Sequence, residues 1–227
     1  MLRALIGGLP RWLPGLGLIA LLALTVPRAM AIEEPEFQTV RPLAEQVELR
    51  RYAPYVVAEV VLDTAAADAG REAFPILAGY IFGKNKGQRK MEMTAPVTQA
   101  AAPVKMEMTA PVTQSAAAGG MRVQFVLPRA VALSEAPEPL DPRVRLREEP
   151  GELRAVIRYS GMWTPSNYEE HLARLRTVVG TSGLVPVGEP VLARYNGPMT
   201  PWFLRRNEIW IPVAEPAAAP RSTAPGG

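Results

Sequence analysis

The chain has no cysteine and only one histidine, His171, in 227 residues. It therefore has neither a disulfide framework nor a thiol nucleophile, and its core must hold without cross-links. His171 lacks any motif that would pair it with a serine and an aspartate. Glycine-rich phosphate loops are also missing, since Gly83–Gly87 reads as a helix end followed by a basic turn. We therefore predict a binding protein and not an enzyme.

Acidic side chains are absent from the first 31 residues, which contain Arg3, Arg11 and Arg28. These three arginines account for the formal net charge of +3, because the remaining 22 basic residues are balanced by 22 acidic ones. The rest of the chain is thus near neutral. Its charge gives no reason to expect binding to nucleic acid or to an anionic membrane.

The same 31 residues have the three parts of a secretory signal: a basic start, an apolar run at Leu13–Val26 and a small-residue end at Ala29–Ala31. The apolar run has 14 residues, fewer than the roughly 20 that span a membrane. We expect cleavage after Ala31 and export to the periplasm or the medium, with an uncleaved membrane anchor as the alternative. The domain is expected at 32–213, followed by a disordered tail at 214–227 that is rich in proline, alanine and glycine.

A ten-residue sequence, KMEMTAPVTQ, occurs twice, at Lys90–Gln99 and at Lys105–Gln114. Its alternating apolar positions predict a half-buried strand that ends at the proline. The whole duplicated unit has 15 residues (90–104 and 105–119) and differs between the copies only in its last third. Only one copy can occupy the strand position, so we expect the other to form a loop or to lengthen a hairpin.

Two helices are predicted from apolar spacings of three, four and seven residues. The first covers 65–82 and stops at Gly83, and the second begins at a capping box formed by Ser166 and Glu169 and ends at Gly180. A flexible link is expected at Ser115–Gly120. Strand patterns cover 47–51, 55–62, 121–128, 144–147, 153–159, 189–195 and 208–213.

The order of these elements repeats. The sequence ELR opens each half, at Glu48–Arg50 and Glu152–Arg154, and Arg206–Val213 (RNEIWIPV) is a faint echo of KMEMTAPV. We predict an α+β fold of two pseudo-symmetric βαβ-type repeats, in which a curved sheet or distorted open β-barrel is flanked by two helices. A cleft is expected along the pseudo-twofold axis.

Four sequence blocks within Glu36–Val213 resemble, in the same order, the SOUL haem-binding protein family: VELRRYAPYVVAEV, REAFPILAGYIFGKN, KMEMTAPV and RYNGPMTPWFLRRNEIWIPV. The resemblance implies a curved sheet with two helices, similar to the effector-binding domain of bacterial drug-response regulators. It also implies binding of haem or another tetrapyrrole in a shallow apolar cleft, without an established enzymatic activity. The single KMEMTAPV block of the family is doubled here.

The resemblance places the tetrapyrrole cleft beside the first helix, where the matching residues are Arg71, Phe74 and Ala78. Their spacing puts the three side chains on one helix face. Arg71 could pair with a propionate because guanidinium binds carboxylates in a bidentate way, while Phe74 and Ala78 touch the macrocycle. The alternative is that Phe74 and Ala78 belong to the core and Arg71 is a solvated residue.

Axial ligation of a haem iron stays open at this stage. Some members of the family carry histidine where this chain has Arg51, and a guanidinium cannot replace it because it stays protonated. His171 is interpreted as a half-exposed helix residue. Three alternatives remain for the axial position: a methionine, a tyrosine such as Tyr195, or no protein ligand.

Two other functions are compatible with the sequence. Met91, Met93, Met106 and Met108 form two M-x-M pairs that could hold Cu(I), although methionine is also a common filler of cores. The chain could also be an effector- or protein-binding module without a haem role, with the extra KMEMTAPV copy as the contact. The expected partner is a tetrapyrrole or a similar planar amphipathic small molecule, bound by a monomer with no contact to nucleic acid or, once the signal is cleaved, to a membrane.

Overall fold

The computed structural model describes residues 32–87 and 103–215. The predicted signal, the first copy at Lys90–Gln99 and the tail from residue 216 onward lie outside the described residues. Neither helix in the described part of the chain is long and apolar enough to cross a membrane.

The first half of the fold contains five strands and one helix. In chain order these are β1 (Phe37–Ala44), β2 (Val47–Tyr52), β3 (Tyr55–Leu62), α1 (Ala66–Ile81), β4 (Val112–Ala117) and β5 (Gly120–Val126). The predicted first helix is confirmed, and the positive φ of 111° at Gly83 ends it as expected. β1 has a largely exposed pattern without alternation, which explains why no strand was predicted there.

The second half repeats this order. Its elements are β6 (Arg145–Glu149), β7 (Leu153–Tyr159), α2 (Pro165–Thr181), β8 (Val185–Pro186), β9 (Val191–Arg194), a short 3₁₀ helix (Trp202–Leu204) and β10 (Asn207–Ala214). α2 is confirmed, but its cap lies earlier than predicted. Thr164 is the N-cap, its hydroxyl accepts from the Asn167 amide, and Pro165 starts the helix, so Ser166 already lies in the first turn.

The sheet confirms the two-repeat architecture. Its strand order is β1-β2-β7-β10-β9-β4-β5-β3-β6, every pairing is antiparallel, and β8 adds to β10. Apart from β1, the order is symmetric about the β9–β4 pair. With β1 set aside, the halves begin with β2–β3 and with β6–β7. The first strand of each of these pairs lies beside the second strand of the other half, so β2 pairs with β7 and β6 pairs with β3. The pseudo-twofold axis therefore passes between β4 and β9.

The sequence matches that suggested this repeat are not at equivalent positions. β2 holds the first ELR sequence and β7 begins within the second, but the symmetric counterpart of β2 is β6. Arg50 and Arg154 are instead direct partners across the β2–β7 pair. KMEMTAPV leads into β4, whereas its proposed echo forms β10, which corresponds to β5. The repeat lies in the order of the elements and not in these short identities.

The described copy, Lys105–Gln114, departs from the predicted strand. Residues 105–111 are not paired as a strand, and β4 begins only after Pro111, which has no amide hydrogen to donate. The segment before it is fixed by other contacts. Asn85 bonds both the amide and the carbonyl of Val104, at 3.0 and 2.8 Å, and the Met106 amide donates to Ile81 at 2.9 Å.

The predicted flexible link at Ser115–Gly120 is also wrong, because these residues complete β4 and turn tightly into β5. Gly119 has a φ of 87°, and a Cβ at Gly120 would overlap the carbonyl oxygen of Leu62. Both positions therefore require glycine. Of the two copies, only the second is followed by two glycines, which explains how it can enter β4 and turn into β5.

Each helix covers its own core cluster. α1 packs on β3 and β5 through Ala69, Ala73 and Leu77, and α2 packs on β7 and β10 through Leu172 and Leu175. A third cluster around Trp210 lies on the other face of β10, since side chains alternate along a strand. The two helices thus stand on one side of the sheet, with β4 and β9 between them.

Candidate functional site

A cleft of about 430 Å³ lies on the pseudo-twofold axis, as predicted. Its floor is the β4–β9 pair, in which Gln114 faces Leu192. Ala66 and Ala67 at the start of α1 form one wall, and α2 forms the other. The volume is within the range of small-molecule sites.

The lining of this axial cleft is mainly apolar and aromatic. The side chains that give it this character are Met121, Met162, Trp163, Tyr168, Leu172 and Leu192. Charged groups at the rim are Glu169, Arg176 and Glu189, all of them exposed to solvent. Solvent screens these rim charges, so the groups inside the cleft decide its electrostatic character.

Arg194, the last residue of β9, is the charged group that reaches inside. Its guanidinium carbon lies 4.9 Å from the centre of the Trp163 ring, and that of Arg205 lies 4.3 Å from the same ring. Trp163 is fixed because its indole nitrogen donates to Asn207 Oδ1 at 2.9 Å. Two guanidinium groups thus lie over one fixed aromatic ring, at cation–π distance.

Gly70 on α1 makes room for this arginine. A Cβ at that position would lie 3.2 Å from Arg194 Nη1, which is tighter than ordinary contact. Glycine inside a helix costs about 1 kcal/mol relative to alanine, so the close approach of the guanidinium is a physical reason for it here. Sequence spacing gave no signal of this contact, because Gly70 and Arg194 lie in different halves.

Burial lowers the pKa of Arg194 and outweighs the opposing effect of Tyr159, while the neighbouring cation of Arg205 lowers it further. Its Nε is buried without a hydrogen-bond partner in the described part of the chain. Burial also raises the pKa of Tyr159 to about 12, so this phenol is neutral at physiological pH. The cleft therefore carries an interior positive charge that these two neighbours do not neutralise.

The three site residues predicted beside the first helix lie along one line of α1. Arg71 is exposed and pairs with Asp68 at 2.8 Å. Phe74 is 48% exposed and its ring meets buried Phe125 edge-on at 5.5 Å. Ala78 is 7% exposed and belongs to the core below the helix.

Phe82, which the sequence analysis did not assign to the site, extends this line. It lies four residues after Ala78, as Phe74 lies four residues before it, and it is 56% exposed. At 1.5 Å per residue, the Cα atoms of Phe74 and Phe82 lie about 12 Å apart along the helix, on either side of one small residue. The pattern i, i+4, i+8 was visible in the sequence, but Phe82 was taken as the end of the helix.

We refer to Arg71, Phe74, Ala78 and Phe82 as the α1 face. It combines exposed aromatic surface, a small buried residue between the two phenylalanines and a solvated guanidinium. An exposed pair such as Arg71–Asp68 contributes about 0 to 1 kcal/mol, so Arg71 can exchange Asp68 for a ligand carboxylate at small cost.

The residues considered for iron ligation lie elsewhere. His171 is on α2, where its ring stacks on Tyr159 at 4.2 Å and its Nδ1 bonds the Asn167 carbonyl. Tyr195 is buried, and its hydroxyl donates to Glu208 at 2.8 Å. Burial and the Glu208 charge raise the pKa of Tyr195, which disfavours the phenolate that would bind iron. Arg51 is exposed on β2.

The methionines of the described copy are packed side chains. Met106 and Met108 are partly buried against the core cluster of α1. Met91 and Met93 lie outside the described residues. Within the described ranges, no group of three or more His, Cys, Asp or Glu side chains is placed to hold a metal ion. Packing against the core therefore accounts for the positions of Met106 and Met108.

Comparison with known proteins gives similarity over most of the chain. A family model described as SOUL heme-binding protein matches residues 32–212. Heme-binding protein 1 of Mus musculus is 30% identical over 152 residues, which cover 66% of this chain and 75% of that protein. Heme-binding protein 2 of Homo sapiens is 27% identical over 190 residues, covering 81% and 87%.

Two solved structures share the fold. The crystal structure of the EcmrR C-terminal domain has a TM-score of 0.51 at 14% identity and covers 75% of this chain and 98% of that one. A structure described as a hydrolase from Listeria innocua has a TM-score of 0.52 at 12% identity, covering 74% and 92%. At such low identities the likeness extends to the fold alone.

Proposed function

The chain belongs to the SOUL heme-binding protein family, and we propose from this that it binds haem or a related tetrapyrrole against the α1 face, without catalysis. The observation that carries the proposal is the pair of half-exposed phenyl rings, Phe74 and Phe82, on either side of Ala78. Exposed aromatic rings in this arrangement offer flat apolar surface to a planar ligand.

Each residue of the α1 face has a distinct role in this proposal. Phe74 is held from below by Phe125, so its ring presents a fixed edge and face to the ligand. Ala78 keeps the centre of the face low because its side chain ends at the core surface. Arg71 leaves Asp68 to bind a propionate through its guanidinium.

We also propose that the protein acts after export, with the signal removed behind Ala31. The basic start, apolar run and small-residue end of residues 1–31 support this. In the absence of cysteine the fold does not depend on the redox state of its compartment.

The proposal is tested by titrating the purified protein with haemin and following the Soret absorbance. Wild type should bind one equivalent with saturation. An Arg71→Ala, Phe74→Ala double variant should bind about tenfold or more weakly, since it loses both the carboxylate partner and the aromatic contact.

Phe203→Ala is the matched control. Phe203 is 59% exposed, a little more than Phe74 at 48%, and belongs to the 3₁₀ helix and not to α1. If haemin adsorbed to any exposed apolar surface, Phe203→Ala would weaken haemin binding as much as the Arg71→Ala, Phe74→Ala variant does. Equal weakening, or uptake by wild type that never saturates, would show that the α1 face is not a tetrapyrrole site.

A further inference from the structure

We propose that the axial cleft between α1 and α2 is a second binding site, separate from the α1 face, for a small flat aromatic carboxylate whose anionic group binds Arg194. The inference does not depend on tetrapyrrole binding, because it rests on different residues. It starts from a cation, Arg194, that folding partly buries and to which the described part of the chain gives no acidic partner.

The position of Arg194 is the first step. The guanidinium lies between the helix backbone at Gly70 and the ring of Trp163. The ionisable neighbours that act on it are a neutral tyrosine, Tyr159, and a second cation, Arg205. Arg205 is occupied, because it donates to the carbonyls of Thr200 and Pro198 at 2.8 Å each. Of these two inner cations, Arg194 is therefore the one left to bind an anion.

The other neighbours of Arg194 do not fill this role. The Gln114 side chain lies beside the same Gly70 position, but its amide nitrogen donates to the Ala66 carbonyl. Glu169 and Glu189 also line the cleft, but both are exposed at the rim, where solvent screens them. Arg194 is partly buried and its Nε has no partner in the described ranges, so it binds a carboxylate more strongly than a fully solvated guanidinium, because water competes less.

The apolar walls of the axial cleft determine which uncharged part of a ligand fits there. Tyr168, Leu172 and Leu192 form an apolar surface beside the guanidinium, and Met121 closes the floor towards β5. A volume of about 430 Å³ accommodates a ligand of one or a few rings. An aromatic ring with one carboxylate matches both features, since the ring replaces water on the walls and the anion meets Arg194.

Naphthoate and its neutral analogue naphthamide are suitable probes, because they have the same ring and differ in charge. Calorimetric titration of the full chain should show saturable one-to-one binding of naphthoate, and naphthamide should bind about tenfold or more weakly. Arg194→Met should weaken naphthoate to a similar extent and leave naphthamide unchanged. Arg194→Lys should fall between, since lysine keeps the charge but not the planar fork.

Two further variants guard against misfolding and general charge effects. Arg176→Met removes an exposed cation from the rim of the same cleft and should change naphthoate binding by less than about twofold, because exposed charges are screened. Ala67→Trp, at an exposed position of α1, should fill the cleft and abolish binding without altering Arg194. If Arg194→Met does not fold, loss of naphthoate binding in Ala67→Trp still tests whether the axial cleft is the binding site.

Crossing these variants with haemin separates the two sites. Arg194→Met should leave haemin binding unchanged, and Arg71→Ala, Phe74→Ala should leave naphthoate binding unchanged. The cleft inference is overturned if wild type binds no naphthoate, if naphthamide binds equally well, or if Arg194→Met weakens haemin as much as naphthoate. Naphthoate binding that persists when haemin binding fails would reject only the tetrapyrrole proposal.

Discussion

Arg50 Nη1 contacts both carboxylate oxygens of Glu208, at 3.2 and 3.1 Å, and so joins β2 to β10 across the intervening strand β7. Glu208 is fully buried. It also accepts from the Tyr195 hydroxyl and the Trp210 indole at 2.8 Å each, and from Arg206 at 2.9 Å. The carboxylate is thus satisfied on every side, which is what allows a charge to remain inside the sheet.

Glu208→Gln should destabilise the fold by about 3 to 5 kcal/mol, because Arg50 would remain buried with only the partly exposed Glu48 as its carboxylate partner. Urea unfolding measures the loss. Glu48→Gln is the matched control, since Glu48 binds the same arginine at 2.8 Å but is partly exposed, and it should cost about 1 kcal/mol or less. If both variants lost similar amounts of unfolding free energy, burial of Glu208 would not be the reason that the Arg50–Glu208 pair stabilises the fold.

The stability of the protein should fall in acid because of the same carboxylate. Burial alone would raise the pKa of Glu208, but the charges of Arg50 and Arg206 outweigh it and hold this pKa below the ordinary 4.5. A group with a lower pKa in the folded state stabilises the fold fully above pH 4.5 and loses this contribution as the pH falls further. The urea midpoint should therefore drop more steeply below pH 4.5 in wild type than in Glu208→Gln, and parallel curves would contradict the assignment.

Deletion of either copy of the duplicated unit should have different consequences. Removing residues 90–104 leaves the copy that forms β4, and stability should change by less than about 1 kcal/mol, because shortening a long connection has a small entropic effect. Removing residues 105–119 places Val104 where Gly119 now has a φ of 87°. A β-branched residue in that conformation should cost about 1 to 3 kcal/mol.

The measurement is thermal or urea unfolding of both deletion variants. Val104→Gly in the second deletion should recover most of the loss, because it restores glycine at the turn. If both deletions are equally stable, the turn does not decide which copy enters the sheet.

Replacing Met106 and Met108 by leucine should lower stability by less than about 1.5 kcal/mol, as expected for hydrophobic substitutions that keep side-chain volume. Haemin binding should remain as in wild type. Cu(I) titration of the same variant, extended to Met91 and Met93, checks the copper alternative. Tight Cu(I) binding by wild type that disappears in the leucine variant would establish the methionines as ligands.

Mass spectrometry of the protein purified from the exported fraction should give a chain that begins at Ile32. The expectation follows from the small residues at Ala29–Ala31. Ala31→Arg should block processing and leave the longer chain attached to membranes. A full-length product in the soluble fraction of the cell would rule out export.

The sequence predicted the secondary structure well where one face of an element is apolar. α1 and α2 follow from periodicity, because burial of one face is what the pattern records. β3 and β7 were recognised from nearly continuous apolar runs, and the structure buries both of their faces. β4 was missed because its short sequence VTQSAA has weak alternation and depends on two glycines beyond its end. Turn geometry, not hydrophobicity, determines that strand.

The candidate sites were predictable only in part. Spacing placed Arg71, Phe74 and Ala78 on one face, since such neighbours are close in the chain. Arg194 could not be assigned, because its role depends on Gly70 and Trp163, and only the β4–β9 pairing brings α1 and α2 to the same cleft. Contacts between distant segments require the topology as well as the pattern.

The exchange of first strands between the halves has a consequence for the order of folding. β2, which also pairs with β1, gains its second partner only in β7, where Val47 faces Ile157, and β3, which also pairs with β5, gains β6 only at residues 145–149. A nascent chain that stops before residue 145 therefore leaves two strands with open edges. Pairings of such long sequence separation slow folding, and neither half can reach its native state before the other has been synthesised.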